Sequence, residues 1–316
     1  MKALTVTSWG ATPSIHEVDE PRRQPGFSVL RMLAAGVNPV DLAIGSGRFY
    51  GDMPDPPFIV GAEVVGEVVE SDTVPLGTRA WGIVTTGGFA EYCSVPDGHL
   101  IPVPDDVDDT TAAAYGIAGL AGWMSVRTRG EVREGETVLV LGASGVVGQV
   151  AIQTARQSGA GRIVAVSRTK EGVERALGLG ADWFVAIGDG DVATELRDSC
   201  APGADLIIDM LWGPPFQMAL GAAAPRARFI QVGNAAATTA TVPGGSLRGG
   251  RFDVRGFSVF TEAHADVARS YHDLLAMVHA GAIRLAVEPL PLVEAPVAWM
   301  RQAAGTAGRK LVLVNP

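Results

Sequence analysis

The sequence predicts an α/β protein in two parts, a mostly β first domain followed by a doubly wound parallel sheet. Three observations predict it. Residues 1 to about 110 break into short strand-like runs separated by Gly, Pro and Asp clusters, the spacing of a small barrel or sandwich. From Thr137 onward, apolar runs alternate with stretches of helical period, the pattern of βαβ units. The first of those units carries the turn Gly142-Ala143-Ser144-Gly145-Val146-Val147-Gly148 between its strand and its helix.

In the first domain, Ala3–Thr7, Ile15–Val18, Phe27–Leu33, Ala62–Val69, Arg79–Val84 and Phe89–Val95 read as strands, rich in β-branched and apolar residues. Pro39–Ile44 reads as a short helix, with Pro at the first position, where its missing N–H costs nothing. The DMPDPPF segment after it reads as an irregular loop. Residues 108–128 predict one helix, with Asp and Thr as caps and Ala, Leu, Trp and Met in its body.

The second domain opens on Val138–Leu141, a continuous apolar run as expected of a strand buried on both faces. Val147, Val150, Ala151 and Ala155 then recur at helical spacing. Further strands are expected at Arg162–Val166, Trp183–Ile187, Asp205–Met210, Arg228–Val232 and Asp253–Phe260. Helices are expected near Glu171–Leu179, Val192–Asp198, Pro215–Ala223 and His264–Ala280. Six strands in this order match a doubly wound sheet. Ala286–Pro291 (extended), Val293–Ala304 (helical) and Arg309–Val314 (strand) follow after that sheet is complete. They are expected to fold back onto the first domain. The expected division is therefore 1–113 completed by 287–316, and 114–286.

Of the 316 residues, 47% are hydrophobic and 19% charged, enough apolar surface for a sizeable core and against disorder. The 25 basic and 34 acidic residues give a net charge of −9, which argues against a general nucleic-acid surface. Cys93 and Cys200 lie far apart and match no metal spacing. With no apolar run of membrane-spanning length and no signal-peptide pattern, the expectation is a reduced, cytoplasmic protein with no membrane partner.

The turn has the chemistry a dinucleotide needs. Gly145 lacks a Cβ, so the backbone can approach a pyrophosphate, and Gly148 lets the helix pack close to the strand. The helix start offers N–H groups and a positive dipole, with Ser144, Val146 and Val147 supplying backbone around the phosphates. Ala143 stands where the usual fingerprint has its first glycine. An NAD site normally has Asp or Glu at the end of the second strand, for the ribose 2′-hydroxyl. Here that end reads Ser167, Arg168, Thr169, Lys170. Two cations and two hydroxyls suit a 2′-phosphate, so NADPH is the preferred cofactor. The alternative is a solvated basic turn.

The order of motifs resembles the medium-chain dehydrogenase/reductase superfamily, and within it the zinc-free NADPH:quinone oxidoreductase branch. The segments that carry the resemblance are AAGVNPVDLAIGSGRFY (Ala34–Tyr50), PFIVGAEVVGEVV (Pro57–Val69), LGASGVVGQVAIQTAR, QVGNAAATTATVP (Gln231–Pro243), RGFSVF (Arg255–Phe260) and GRKLVLV. It implies a GroES-like barrel as first, catalytic domain and a Rossmann sheet as second. Metal-dependent relatives place Cys where this chain has Asn38, and His where it has Ala62. Without thiolate and imidazole no Zn²⁺ shell is expected.

The resemblance assigns Asn38 to the active site, bonding the substrate oxygen or the nicotinamide ribose; its alternative is a cap before Pro39. Asp41 reads equally as catalytic or as a structural hydrogen-bonding group. Tyr50 is a candidate proton donor or pocket wall, or an aromatic packed under the proline loop. The resemblance also places Gly233 and Asn234 beside the nicotinamide ribose, and Phe257 and Ser258 at the carboxamide. Asp253–Phe260 would form the outer edge of the sheet, where two copies could pair, so a homodimer is expected. Three readings follow. The first is hydride transfer from NADPH to a quinone. The second is reduction of a C=C bond conjugated to a carbonyl, on an enone or polyketide-type substrate. The third is NADPH binding without turnover.

Overall fold

The structure, a computed structural model, describes residues 1–188, 191–305, 307 and 309–315, with backbone only for Lys170 and Val173. Two compact units emerge: Met1–Ala118 with Ala263–His279 and Leu285–Pro316, and Gly119–Glu262 with Ala280–Arg284.

The first unit begins with strands β1 (Lys2–Val6), β2 (Ser14–Glu17) and β3 (Phe27–Gly36), then helix α1 (Pro39–Gly45). Strands β4 (Phe58–Ile59), β5 (Glu63–Glu70), β6 (Arg79–Ile83), β7 (Tyr92–Pro96) and β8 (Leu100–Pro102) follow. β2, β1 and β4 form one antiparallel sheet. β3 pairs antiparallel with β5 on one side, and with β7 along its first half. The strands form because apolar side chains alternate inward: Leu30, Met32, Val64, Val68 and Trp81 are all buried.

The single helix expected over 108–128 is two, α2 (Asp109–Ala114) and α3 (Ile117–Arg127). The break has a packing cause. A Cβ on Gly116 would stand 1.9 Å from Glu63 Oε2 and 2.4 Å from Trp81 Nε1. The backbone passes so close to this buried pair that Ile117 N donates to Glu63 Oε2 (2.8 Å) rather than within a continuous helix.

The second unit alternates β9 (Thr137–Leu141), α4 (Val146–Gln157), β10 (Arg162–Ser167), α5 (Lys170–Gly178), β11 (Trp183–Ala186), α6 (Val192–Ser199), β12 (Ala204–Asp209), α7 (Pro214–Leu220), β13 (Ala223–Gln231), α8 (Gly244–Gly250) and β14 (Asp253–Gly256). All pairings are parallel, in the order β11-β10-β9-β12-β13-β14. The order reverses between β9 and β12, where open α/β sheets bind ligands beyond the strands' carboxyl ends. Leu139, Leu141, Val164, Val166, Ile207 and Phe229 form its core, each side chain contributing about 1.5–3 kcal/mol by burial. The last strand is shorter than the expected Asp253–Phe260. Past Gly256, the Ser258 hydroxyl accepts the Phe260 N–H (3.3 Å) and closes a turn.

Helix α9 (His264–His279), strand β15 (Val287–Pro291), helix α10 (Ala295–Ala303) and strand β16 (Lys310–Val314) complete the chain. α9 was expected with the second domain but belongs to the first unit. Its Tyr271 stacks on Trp81 at 4.8 Å and donates to Ala112 O at 2.9 Å. In the tail, β16 pairs antiparallel with β3 and parallel with β15. None of the described helices is long and apolar enough to cross a membrane.

Candidate functional site

In the first unit, polar side chains from α1 and its N-cap, β5, β6 and β16 converge in the interior. Asn38 stands at the N-cap position of α1 and is 1% exposed. Its amide does not cap the helix. Nδ2 donates to Gly36 O (2.8 Å) and to Glu63 Oε1 (2.7 Å), and Oδ1 accepts from Lys310 Nζ (2.7 Å). Capping falls to Asp41, whose Oδ2 accepts the Asn38 N–H (2.7 Å) while Oδ1 accepts the Ala62 N–H (2.8 Å). Lys310 Nζ also donates to Val37 O (3.1 Å) and lies 3.8 Å from Glu63 Oε1. Glu63 Oε2 accepts from Trp81 Nε1 (2.7 Å).

Burial dominates the electrostatics. It pushes the Asp41 carboxyl up to about 7, aided by the Glu63 charge and opposed by the Asn38 N–H and Lys310. The same burial draws Lys310 down, against Glu63 and Asp41. Tyr50 lies at the surface, 69% exposed, its ring tilted against Phe49 at 4.5 Å.

In the second unit the glycine turn sits at the carboxyl end of β9. Among the described residues, a Cβ on Gly145 would meet only Gly142 O, at 3.6 Å, so the turn is open to a ligand there. On Gly148 it would stand 2.5 Å from Gly142 O and 2.7 Å from Ala143 Cα. That close approach seats α4 against the turn. Gly145 is the N-cap of α4, and among the described residues no side chain caps that end; Val146 and Val147 are half-buried there. Ser144 is half-buried beside it, its carbonyl taken by Gln149 Nε2 (2.9 Å). At the end of β10, Ser167 is buried and Arg168 exposed; the Lys170 side chain lies outside the described residues. This set fits a dinucleotide: an uncapped helix start, an open backbone, and a strand end with a cation and no carboxylate.

Across the crevice, Gly233 is half-buried and bonded to Asp209 O (3.2 Å), and Asn234 is exposed. Phe257 is 7% exposed, its N–H given to Gln231 O (2.9 Å); Ser258 follows it. The structure therefore gathers Asn38 with Asp41 in one place, and the glycine turn, Ser167, Arg168 and Gly233 at one end of one sheet.

Three residues of these sites were given no role from the sequence: Glu63, Lys310 and Asp209. Each is a charge at one end of an apolar strand (EVVGEVVE, KLVLV, ADLIID). Such a charge is the signal that could have found them, because a charge inside a buried strand needs a partner.

Two family models divide the chain between them. An alcohol dehydrogenase GroES-like domain model matches residues 24–105, and a zinc-binding dehydrogenase model matches residues 146–277. The quinone oxidoreductase from Thermus thermophilus, solved with and without NADPH, superposes with a TM-score of 0.82, 29% identity, and 99% of this chain on 100% of that one. The chain belongs to the medium-chain dehydrogenase/reductase superfamily. Its curated relatives in the superfamily are longer. A phenolphthiocerol/phthiocerol polyketide synthase subunit of Mycobacterium tuberculosis is 32% identical over 227 residues, 70% of this chain but 10% of that protein. Prostaglandin reductase-3 of Mus musculus is 29% identical over 245 residues, 74% of this chain and 63% of that protein.

One of the superfamily models is described as zinc-binding, and the residues around Asn38 do not fit that ion. Both amide hydrogens of Asn38 are given away, both Asp41 oxygens hold backbone N–H groups, and an ammonium already neutralises Glu63. Among the described residues no group of three or more His, Cys, Asp or Glu could hold a metal.

Proposed function

We propose that this chain is a zinc-independent, NADPH-dependent oxidoreductase that delivers hydride to a quinone or a similarly activated acceptor. The observation that carries it is the strand end at Ser167–Arg168 beside the open glycine turn, which suits a 2′-phosphate and disfavours a free 2′-hydroxyl. When bound, the cofactor supplies the hydride. The chain's own residues position and exclude: the start of α4 holds the pyrophosphate, Arg168 and Ser167 hold the 2′-phosphate, and Gly233, Asn234, Phe257 and Ser258 border the nicotinamide half. Asn38 and Asp41 act by fixing the junction of β3, α1 and β5, since their polar atoms are spent on that junction. Tyr50 is the candidate proton donor, its phenol being exposed. Two copies pairing along β14, a soluble cytoplasmic setting and a small-molecule substrate complete the reading.

A second reading has its own support. The likeness to a prostaglandin reductase and to a polyketide synthase favours a conjugated C=C bond as acceptor. The deciding experiment follows NADPH oxidation with a simple 1,4-quinone and with an α,β-unsaturated ketone, NADH serving as control. Quinone turnover alone supports the first reading; a saturated ketone product supports the second. Binding of NADPH without oxidation by either would make the chain a dinucleotide-binding protein. Activity that falls with a chelator and returns with Zn²⁺ would remove the zinc-independent part.

A further inference from the structure

The turn after β12 is built around one carboxylate. Asp209 closes the strand and is fully buried. Its Oδ1 accepts two backbone N–H groups, from Leu211 (2.8 Å) and Trp212 (2.9 Å). These bonds hold a turn that the backbone alone disfavours. Trp212 has φ 59°, the left-handed region where a bulky residue is strained, and Gly213 follows at φ 62°.

That turn touches both sides of the crevice. On the β9 side, Met210 N donates to Leu141 O (3.2 Å), and a Cβ on Gly142 would meet Leu211 Cδ2 at 3.3 Å and Met210 Cβ at 3.4 Å. On the β13 side, Ala235 N donates to Met210 O (3.1 Å) and Ala236 N to Leu211 O (2.8 Å). A Cβ on Gly233 would stand 3.0 Å from Met210 O. Among the described residues, Asp209 Oδ2 is buried with no hydrogen-bond partner. Only one oxygen of the carboxylate therefore does the holding.

We propose that Asp209 is a positioning residue for the dinucleotide: by pinning the Met210–Gly213 turn it sets the separation of the Gly142 turn from the Gly233–Ala236 segment, and so sets cofactor affinity. This rests on the reading of the crevice as an NADPH site. The residue acts through backbone, so what matters is an acceptor at Oδ1 and not the charge.

The test compares Asp209→Asn, Asp209→Ser and Asp209→Ala by direct titration with NADPH, alongside melting temperature and the far-ultraviolet spectrum. Asn keeps the Oδ1 acceptor and should bind within about threefold of the wild type. Ala removes it and should bind about tenfold more weakly, the scale of a lost hydrogen bond. At saturating NADPH the Ala variant should keep its kcat, so the loss appears in KM for the cofactor. Should Ala fail to fold, Ser, whose hydroxyl is a shorter and weaker acceptor, should fall between Asn and the loss predicted for Ala. Equal, wild-type affinity in all folded variants would overturn the proposal. So would an Asn variant as weak as Ala, because Oδ2 or the charge would then be meeting the ligand directly. Wild-type protein that does not bind NADPH would instead remove the cofactor reading itself.

Discussion

Lys310 Nζ donates to Asn38 Oδ1 at 2.7 Å, joining residues 272 positions apart. The bond ties the last strand to the start of α1 and leaves the ammonium 3.8 Å from Glu63 Oε1, inside a fully buried cluster. Replacing Lys310 by Met would strand two buried carboxylates with no cation. The expected loss is about 3–5 kcal/mol of unfolding free energy, the usual result of removing one partner of a buried pair. Urea denaturation measures it. Adding Glu63→Gln to Lys310→Met should recover at least about 1 kcal/mol, since the second change removes one of the unpaired charges. A double variant no more stable than the single one would show that Lys310 acts on Asn38 and Val37 rather than on the charge.

Asp41 gives the fold a pH dependence of unusual sign for a carboxylate. Its pKa is pushed from 3.8 up to about 7 in the folded chain. Between those values the folded state holds a proton that the unfolded chain has released, so stability falls as pH rises. The contribution is fully present below pH 4 and gone above pH 7. Three decades at about 1.4 kcal/mol each set an upper scale of about 4 kcal/mol. Burial sets it first; the Glu63 charge adds to it, and the Asn38 N–H, Lys310 and the Ala62 N–H oppose it. Unfolding free energy measured from pH 4 to 8 should fall less steeply in Asp41→Asn than in the wild type. Parallel curves would mean that Asp41 stays ionised throughout.

The contrast between these two clusters and the glycine turn explains what was legible in the sequence. The strand–turn–helix around Gly145 and Gly148 was readable because it is local: its parts are consecutive, and their periodicity switches in plain view. The strand order followed for the same reason. The single helix over 108–128 was misread because its break at Gly116 is imposed by Glu63 and Trp81, which lie far off in the chain. Asn38 was expected to be a functional position, and its bonding was not foreseen. Local propensity suggests a cap, whereas Lys310 and Glu63 claim the amide from two other strands. Asp209 fell inside the expected strand Asp205–Met210 without standing out, and the left-handed Trp212 that needs it has no sequence signal.

Gly145 and Gly148 should separate binding from folding. At Gly145 the backbone φ is −74° and a Cβ meets nothing closer than 3.6 Å. Gly145→Ala should keep its stability to within about 1 kcal/mol. It should nevertheless bind NADPH about tenfold more weakly, because the methyl occupies the approach of the pyrophosphate. At Gly148 the methyl would collide with backbone, which cannot yield as a side chain can. Gly148→Ala should cost about 1–3 kcal/mol by overpacking, with or without ligand. Thermal melts with and without NADPH distinguish the two. A Gly145→Ala variant with undiminished affinity would place the pyrophosphate elsewhere.

On the proposed reading, Arg168 is the residue that sets the preference between the two dinucleotides. It is exposed at the end of β10, next to buried Ser167, where an NAD-specific sheet would carry a carboxylate. A guanidinium meeting a 2′-phosphate makes charge-assisted bonds that a 2′-hydroxyl cannot match. Arg168→Ala should therefore weaken NADPH about tenfold more than NADH, the equivalent of about 1.4 kcal/mol of discrimination. The wild-type preference should also shrink as ionic strength rises, because an exposed charge pair is screened within a Debye length of about 10 Å at 0.1 M salt. Titration of both nucleotides, in low and high salt, reads both effects together. Equal losses for NADPH and NADH would mean that Arg168 attracts any anion and does not read the 2′ position. A preference that survives both the substitution and the salt would leave the discrimination to the Ser167 and Thr169 hydroxyls.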